Sequence, residues 1–455
     1  MSLRLIEGGR GSTDAPGLLV HGAAQVATLA GGLRRGPAQA SVAVLDASAA
    51  GGLGSSRAPV VACWEGRILD VGPRDDVEAA IERQGYSLAR FARLDADGGI
   101  VTPGLVDPHT HLLFGGTREG ELVLRQQGAG YLEILAAGGG ILSTVTATRA
   151  ASEEQLAAHG RRWLDEMLGH GVTTVEAKSG YGLDLATELR LLEVAFQLGR
   201  EGPVDVVPTW LGAHAVPPEY RAAPNGPEAY VRHLLEVQLP GVAAQGRARS
   251  ADAFCEQGVF TTEQCRRVLE AAAHYGLRLR LHADQLASSG GAELAAEVGA
   301  ISADHLHSPS DGGIAAMAAA ADDGSPVVAT LLPASTWYLM ESSPAPARRF
   351  IDAGVPVALG TDFNPGTSPV ANLPLAMSLA CVGMQLTAAE ALTAVTINSA
   401  FAVGVSDEVG SLEAGKAADL VIWRATSIEQ LPYWAGANLA EVVIKGGRIV
   451  HRRGG

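Results

Sequence analysis

Residues 99–111 read GIVTPGLVDPHTH, an apolar run that ends in two histidines spaced two apart. β-Branched residues and leucine bounded by glycine and proline mark a buried strand. Alternate side chains of a strand share one face, so His109 and His111 aim together past its C-terminal end. Seven later runs have the same character: GVTTVEAKSG, VDVVPTWLGAH, ADAFCE, RLRLHAD, ISADHL, PVVATLLPA and PVALGTD. Between most of them lie helical runs such as EEQLAAHGRRWLDEMLGHG and TEQCRRVLEAAAHYG. Eight strand–helix units predict an α/β fold, a (β/α)8 TIM-type barrel over residues 100–403, rather than an open doubly wound sheet. No Gly-x-Gly-x-x-Gly follows an early strand, which argues against a dinucleotide fold.

Both ends of the chain differ from this middle. SVAVLDA and PVVACWEGRILDVGP near the start, and ADLVIWRA and EVVIKGGRIVHRR near the end, read as short strands. The last pair is joined by a Gly-Gly hairpin turn. Residues 1–99 and 404–455 are therefore expected to build one small composite β-sandwich domain, with ASAAGGLGSSRAP (47–59) a flexible loop within it.

The 455 residues are 47% hydrophobic and 18% charged, ordinary for a packed globular chain, and carry a net charge of -15. No cluster of Lys and Arg is present, so nucleic acid and anionic membrane surfaces are excluded as expected partners. An anionic substrate must be met by a local cation. The four cysteines are scattered without a Cys-x-x-Cys pair, which predicts reduced thiols. No signal-peptide core and no run of roughly 18 to 20 apolar residues occurs, which predicts a soluble, cytoplasmic protein.

In such barrels the active site gathers at the C-terminal ends of the strands. His109 and His111 end the first strand, His214 the third, His282 the fifth and His305 the sixth, while Asp362 ends the eighth. A lone His-x-His is a weak signal. Joined by His282 and Asp362, it becomes three imidazoles and one carboxylate, a set suited to one divalent metal, zinc or iron. The other histidines fall on loops, on helices or just past a strand, and read as surface or packing residues.

PGLVDPHTHLLFGG, GTDFNPG and GSLEAGKAADLVIW together resemble the amidohydrolase superfamily. HTHLLFGGTREGE, AKSGYGLD, TWLGAHAVPPEY, HADQL, SADHL and TDFNPGTSP resemble, within it, the imidazolonepropionase family. The resemblance runs from about residue 65 to the end. It implies hydrolytic opening of a small anionic imidazolone, 4-imidazolone-5-propanoate, to N-formimidoyl-L-glutamate in histidine degradation. It implies His109, His111, His282 and Asp362 as metal ligands, and Arg118 as the bidentate partner of the propanoate. Tyr131 and Tyr181 are implied as substrate contacts, His214 as a hydrogen-bond partner of the ring, and Asn364, Gly366 and Thr367 as the loop holding its polar atoms. A homodimer is also implied.

Two positions depart from simple transfer. Gln285 stands where the family can place a proton-handling glutamate; an amide can only orient substrate or water. Acid and base duty then falls to His305, as stabiliser of the oxyanion, and to Asp362, as proton carrier. Lys178 raises the question of a carboxylated lysine bridging two metals, as in some superfamily relatives, although the family pattern implies one metal. The rival reading within the superfamily is an aminopurine or cytosine deaminase, which would release ammonia; a non-catalytic scaffold is a further alternative.

Overall fold

The computed structural model describes residues 15–129, 139–221 and 224–454. Eight parallel strands follow one another in chain order: β1 (Leu105–Asp107), β2 (Val172–Lys178), β3 (Asp205–Ala213), β4 (Ser250–Cys255), β5 (Arg278–Ala283), β6 (Ser302–His305), β7 (Val328–Leu331) and β8 (Val357–Leu359). All eight coincide with the runs expected from the sequence. Their residues are almost wholly buried, as strands covered on both faces must be. The tails of β1 and β8 close the barrel through a parallel bridge between Thr110 and Phe363. His111 N donates to Phe363 O at 2.8 Å, and Asp362 N donates to His109 O at 3.0 Å.

The helices begin where local chemistry supplies acceptors for their first N–H groups. Ser152 with Gln155 forms a capping box on the helix Glu153–Gly169, and Thr261 with Gln264 does so on Thr262–His274. Asp184 caps Leu185–Glu201 through Thr187 N. Each cap is worth about 1 kcal/mol. Apolar faces of these helices then pack on the barrel, with Leu156, Leu164, Leu191 and Leu198 joining its core.

Residues 99–111 are not one continuous strand. Ile100–Pro103 pairs antiparallel with Leu420–Trp423 and parallel with Gln25–Ala27, while the barrel begins at Leu105. Pro103 has no N–H to extend a ladder. At Gly104 a Cβ would lie 2.2 Å from Thr173 Oγ1, so the chain passes too close to β2 for any side chain.

Two further sheets come from the ends of the described chain. One runs Arg67–Pro73, Pro59–Trp64, Gly17–His21, Phe91–Asp95; the other runs Arg448–Arg452, Ala440–Lys445, Leu420–Trp423, Ile100–Pro103, Gln25–Ala27, Val44–Asp46. Leu18, Val61 and Ile68 of the first pack with Val101, Leu420 and Val442 of the second in one apolar cluster. The expected hairpin turn is present, with Gly446 and Gly447 at φ +53° and +72°, the left-handed pair a tight two-residue turn requires. Residues 47–59, expected as a flexible loop, form successive turns closed by Ala50 N to Ala47 O at 3.1 Å and Ala58 N to Ser55 O at 3.0 Å. Cys63, Cys255, Cys265 and Cys381 are all free thiols. Among the described residues no helix is long and apolar enough to cross a membrane.

Candidate metal centre

The ends of β1, β5, β6 and β8 deliver four histidines and a carboxylate to one buried point. The ring centroids of His109 and His282 lie 4.7 Å apart, those of His109 and His111 5.4 Å, and those of His282 and His305 5.1 Å. Ligand atoms of His109, His111 and His282 all fall within 4.8 Å of one another, as do those of His109, His305 and Asp362. Asp362 Oδ1 is 3.5 Å from His109 Nε2 and 3.6 Å from His111 Nε2. Two of these residues turn sharply off their strands, His305 at φ +74° and Asp362 at φ +53°. Left-handed backbone at a non-glycine costs about 1 to 3 kcal/mol and concentrates at functional sites.

Electrostatics prepare the set for a cation. Burial holds the imidazoles of His109, His111 and His305 well below their ordinary range, and brings His214 down to about 3. All four are therefore neutral near pH 7, with a lone pair available. Burial also raises the Asp362 carboxyl to about 6. His109 Nδ1 is hydrogen-bonded to Asp304 Oδ2 at 2.6 Å, so its proton resides there and Nε2 is left as the bare nitrogen. His109 Nε2 and both ring nitrogens of His282 are buried without a hydrogen-bond partner. Orphaned acceptors at this density are costly in a dry interior, and a divalent ion satisfies them. The donor set fits the metal that the sequence implies.

Beneath the imidazoles lies a fully buried ionic layer that the sequence reading did not assign. Lys178 Nζ contacts Asp252 Oδ2 at 2.7 Å, Glu176 Oε1 at 2.9 Å and Asp304 Oδ2 at 3.4 Å. Arg280 Nη2 reaches Asp304 Oδ2 at 2.9 Å and donates to Pro108 O at 2.7 Å. Burial opposes the charge on Lys178, but the three carboxylates outweigh it and raise its pKa. An ammonium held this way is not the neutral amine that carboxylation requires. The signal was legible: acidic residues inside apolar strands, as in VEAK, ADAF and SADH, must be paired when buried.

Above the centre opens a cleft of about 380 Å³ lined by His111, Arg118, Tyr181, His214, Gln285, His305, Asp362, Asn364 and Thr367, together with Phe254 and Ile141. His214 stacks on His111 at 4.9 Å, and its Nδ1 meets Gly180 O at 3.0 Å. That bond leaves Nε2 of the neutral ring as an acceptor. Tyr181 sits between two glycines in a loop shaped by Glu188, whose carboxylate accepts from Gly180 N, Gly182 N and Leu183 N.

Several of the expected substrate contacts are engaged by the protein itself. Arg118 lies in the cleft, but its fork is engaged with Glu121, Nε to Oε1 at 2.9 Å and Nη2 to Oε2 at 2.8 Å. Asn364 is turned to its own loop, where its Oδ1 accepts from Gly366 N at 2.8 Å and Thr367 N at 2.7 Å. Gly366 packs under Arg118, since a Cβ there would meet Nη1 at 2.0 Å, and its carbonyl takes Arg125 Nη2 at 2.7 Å. Glu121 and Arg125 were not foreseen; the i, i+3 and i, i+4 spacing in REGELVLR is the trace of them in the sequence. Tyr131 falls outside the described residues.

Comparison with known proteins places these features in context. The profile of the Amidohydrolase family matches residues 100–450. An imidazolonepropionase of Geobacillus kaustophilus (strain HTA426) is 51% identical over 433 residues, covering 95% of this chain and 97% of the relative. One of Symbiobacterium thermophilum is 46% identical over 434 residues, with coverage of 95% and 97%. Among solved structures, an adenosine deaminase from Xanthomonas campestris with bound zinc superposes with a TM-score of 0.66 at 21% identity, covering 95% of this chain and 92% of that one. A triazine hydrolase variant does so at 0.68 and 18%, covering 96% and 95%. At such identities these two structures speak for the fold alone.

Proposed function

Because the chain belongs to the amidohydrolase family, we propose that its site carries out the reaction of its imidazolonepropionase relatives, hydrolysing 4-imidazolone-5-propanoate to N-formimidoyl-L-glutamate. The observation that carries this reading is 51% identity along 95% of the chain, joined to a complete donor set at the barrel top. One divalent ion, zinc or iron, held by His109, His111, His282 and Asp362, would supply Lewis acidity and bring the pKa of a water towards about 7.

The chain's own residues do the rest. The cation of Arg118 draws the propanoate into the cleft, with Glu121 holding the guanidinium in place. His214, an acceptor at Nε2, takes the ring N–H, and Tyr181 beside it closes one wall at a ring distance of 5.4 Å. Thr367 and Gln285 complete the polar lining, Gln285 orienting water or substrate through its amide. Water adds to the ring carbonyl carbon, and the N–H of His305 stabilises the oxyanion that forms. Asp362 receives the water proton and passes it to the ring nitrogen as the carbonyl C–N bond breaks. The carbonyl carbon becomes the α-carboxylate of the product, still bonded to the carbon that bears the propanoate chain, and the formimidoyl group stays on the other nitrogen. No ammonia is released.

The test is to supply freshly made imidazolone propanoate and follow loss of its absorbance alongside ammonia and metal content. Ring opening without ammonia is the expected result. Stoichiometric ammonia would assign the site to deamination instead. Homodimerisation and cytoplasmic residence belong to the same reading and rest on the likeness to those relatives.

A further inference from the structure

One cation, Lys178, touches the carboxylate oxygens that stand beside two of the proposed metal ligands. Asp304 Oδ2 lies 2.6 Å from His109 Nδ1 and 3.4 Å from Lys178 Nζ. Asp252 Oδ2 lies 3.1 Å from His282 Nδ1 and 2.7 Å from the same ammonium. The remaining Asp252 oxygen accepts from His282 N at 3.1 Å, so this carboxylate holds the backbone of the residue and stands beside its ring. The two aspartates are not equally supported. Asp304 has Arg280 at 2.9 Å as a second cation, whereas the only Lys or Arg paired with Asp252 among the described residues is Lys178.

We infer that Lys178 is a positioning residue of the metal centre, acting through Asp252 to aim His282 and, to a smaller degree, through Asp304 to aim His109. This rests on the metal reading above. The physical reason is that a buried carboxylate without its cation turns towards another donor. His109 then loses the partner that holds its proton at Nδ1 and its lone pair at Nε2, and His282 loses the charge beside its Nδ1 and the acceptor of its backbone N–H. Three carboxylates against two cations leave the layer one negative charge in formal terms. Lys178 therefore balances the layer without cancelling the charge that attracts a divalent ion.

The experiment measures zinc dissociation constants with a chromogenic competitor for the parent, K178M, D252N and K178M/D252N, and records the cobalt(II) spectrum of each. K178M and D252N are each expected to bind zinc about 10- to 100-fold more weakly with altered cobalt bands. The double variant should bind within about threefold of D252N, because both changes cut one path. K178M within twofold of the parent, or losses that multiply in the double variant, overturn the inference. Should K178M alone fail to fold, the comparison of D252N with K178M/D252N decides it. A double variant that fails to fold while D252N folds also overturns it, since Lys178 would then serve the barrel and not this path. A parent that binds no zinc refutes the metal reading itself, a separate outcome.

Discussion

His109 Nδ1 and Asp304 Oδ2 stand 2.6 Å apart at the floor of the barrel mouth, both without solvent exposure. The contact joins the tail of β1 to the end of β6 and decides which nitrogen of His109 faces the centre. Replacing Asp304 with Asn keeps the volume and removes the charge that holds the proton at Nδ1. D304N should fold and bind metal about 10- to 100-fold more weakly, as read by competition with a chelator.

Removing a ligand should act more severely. His282→Ala is expected to lose both stoichiometric metal and turnover, and chelation of the parent should abolish activity in a way that added zinc or iron restores. Ligand binding to the folded state alone raises its stability, so the melting temperature should drop on chelation. A metal-free H282A protein with full activity would sink the assignment.

Gln285 and Asp362 both line the cleft, but only one can carry a proton. Gln285→Ala should lower kcat/KM by about tenfold, the scale of one hydrogen bond. Asp362→Asn should cost at least 100- to 10,000-fold, the scale of general acid–base catalysis, together with metal. Equal losses in the two variants would place proton transfer elsewhere.

Gly180 has φ +96°, and a Cβ there would lie 2.9 Å from both His214 Nδ1 and Leu211 O. Gly180→Ala should lower stability by about 1 to 3 kcal/mol through backbone strain. It should also raise KM through displaced His214, readable in steady-state kinetics and thermal melts.

Protonation of the metal-free protein has a predictable sign. Burial depresses His109, His111 and His305 well below 6.5 and His214 to about 3, so the unfolded chain binds protons the native one does not. Their contribution is present above pH 6.5 and is lost as pH falls towards the depressed values. Asp362, raised to about 6, and Asp107, raised to about 7, act in the opposite sense from pH 4 upward. With His21, His159 and His170 also lowered and Glu188, Asp284 and Asp419 also raised, seven imidazoles outnumber five carboxyls. The melting temperature of apoprotein should therefore fall between pH 6.5 and 5, and a rise over that range would contradict the burial of the four rings.

The sequence by itself determined the strands and the ligand candidates. Eight apolar runs of strand length, each bounded by glycine or proline, are a local property, and His109, His111, His282, His305 and Asp362 sit at their ends whatever surrounds them. Tertiary structure decided what local pattern cannot express. It divided residues 99–111 between two sheets, because Pro103 and Gly104 break a ladder only once Thr173 and Leu420–Trp423 are beside them. It turned Asn364 and Gly366 to the support of their own loop, and engaged Arg118 with Glu121. It also set Lys178 between Asp252 and Asp304, residues 74 and 126 positions away. Charge pairing in a dry interior depends on which strands close the barrel together; acidic residues within apolar strands show that partners are needed, and only the closed barrel decides which.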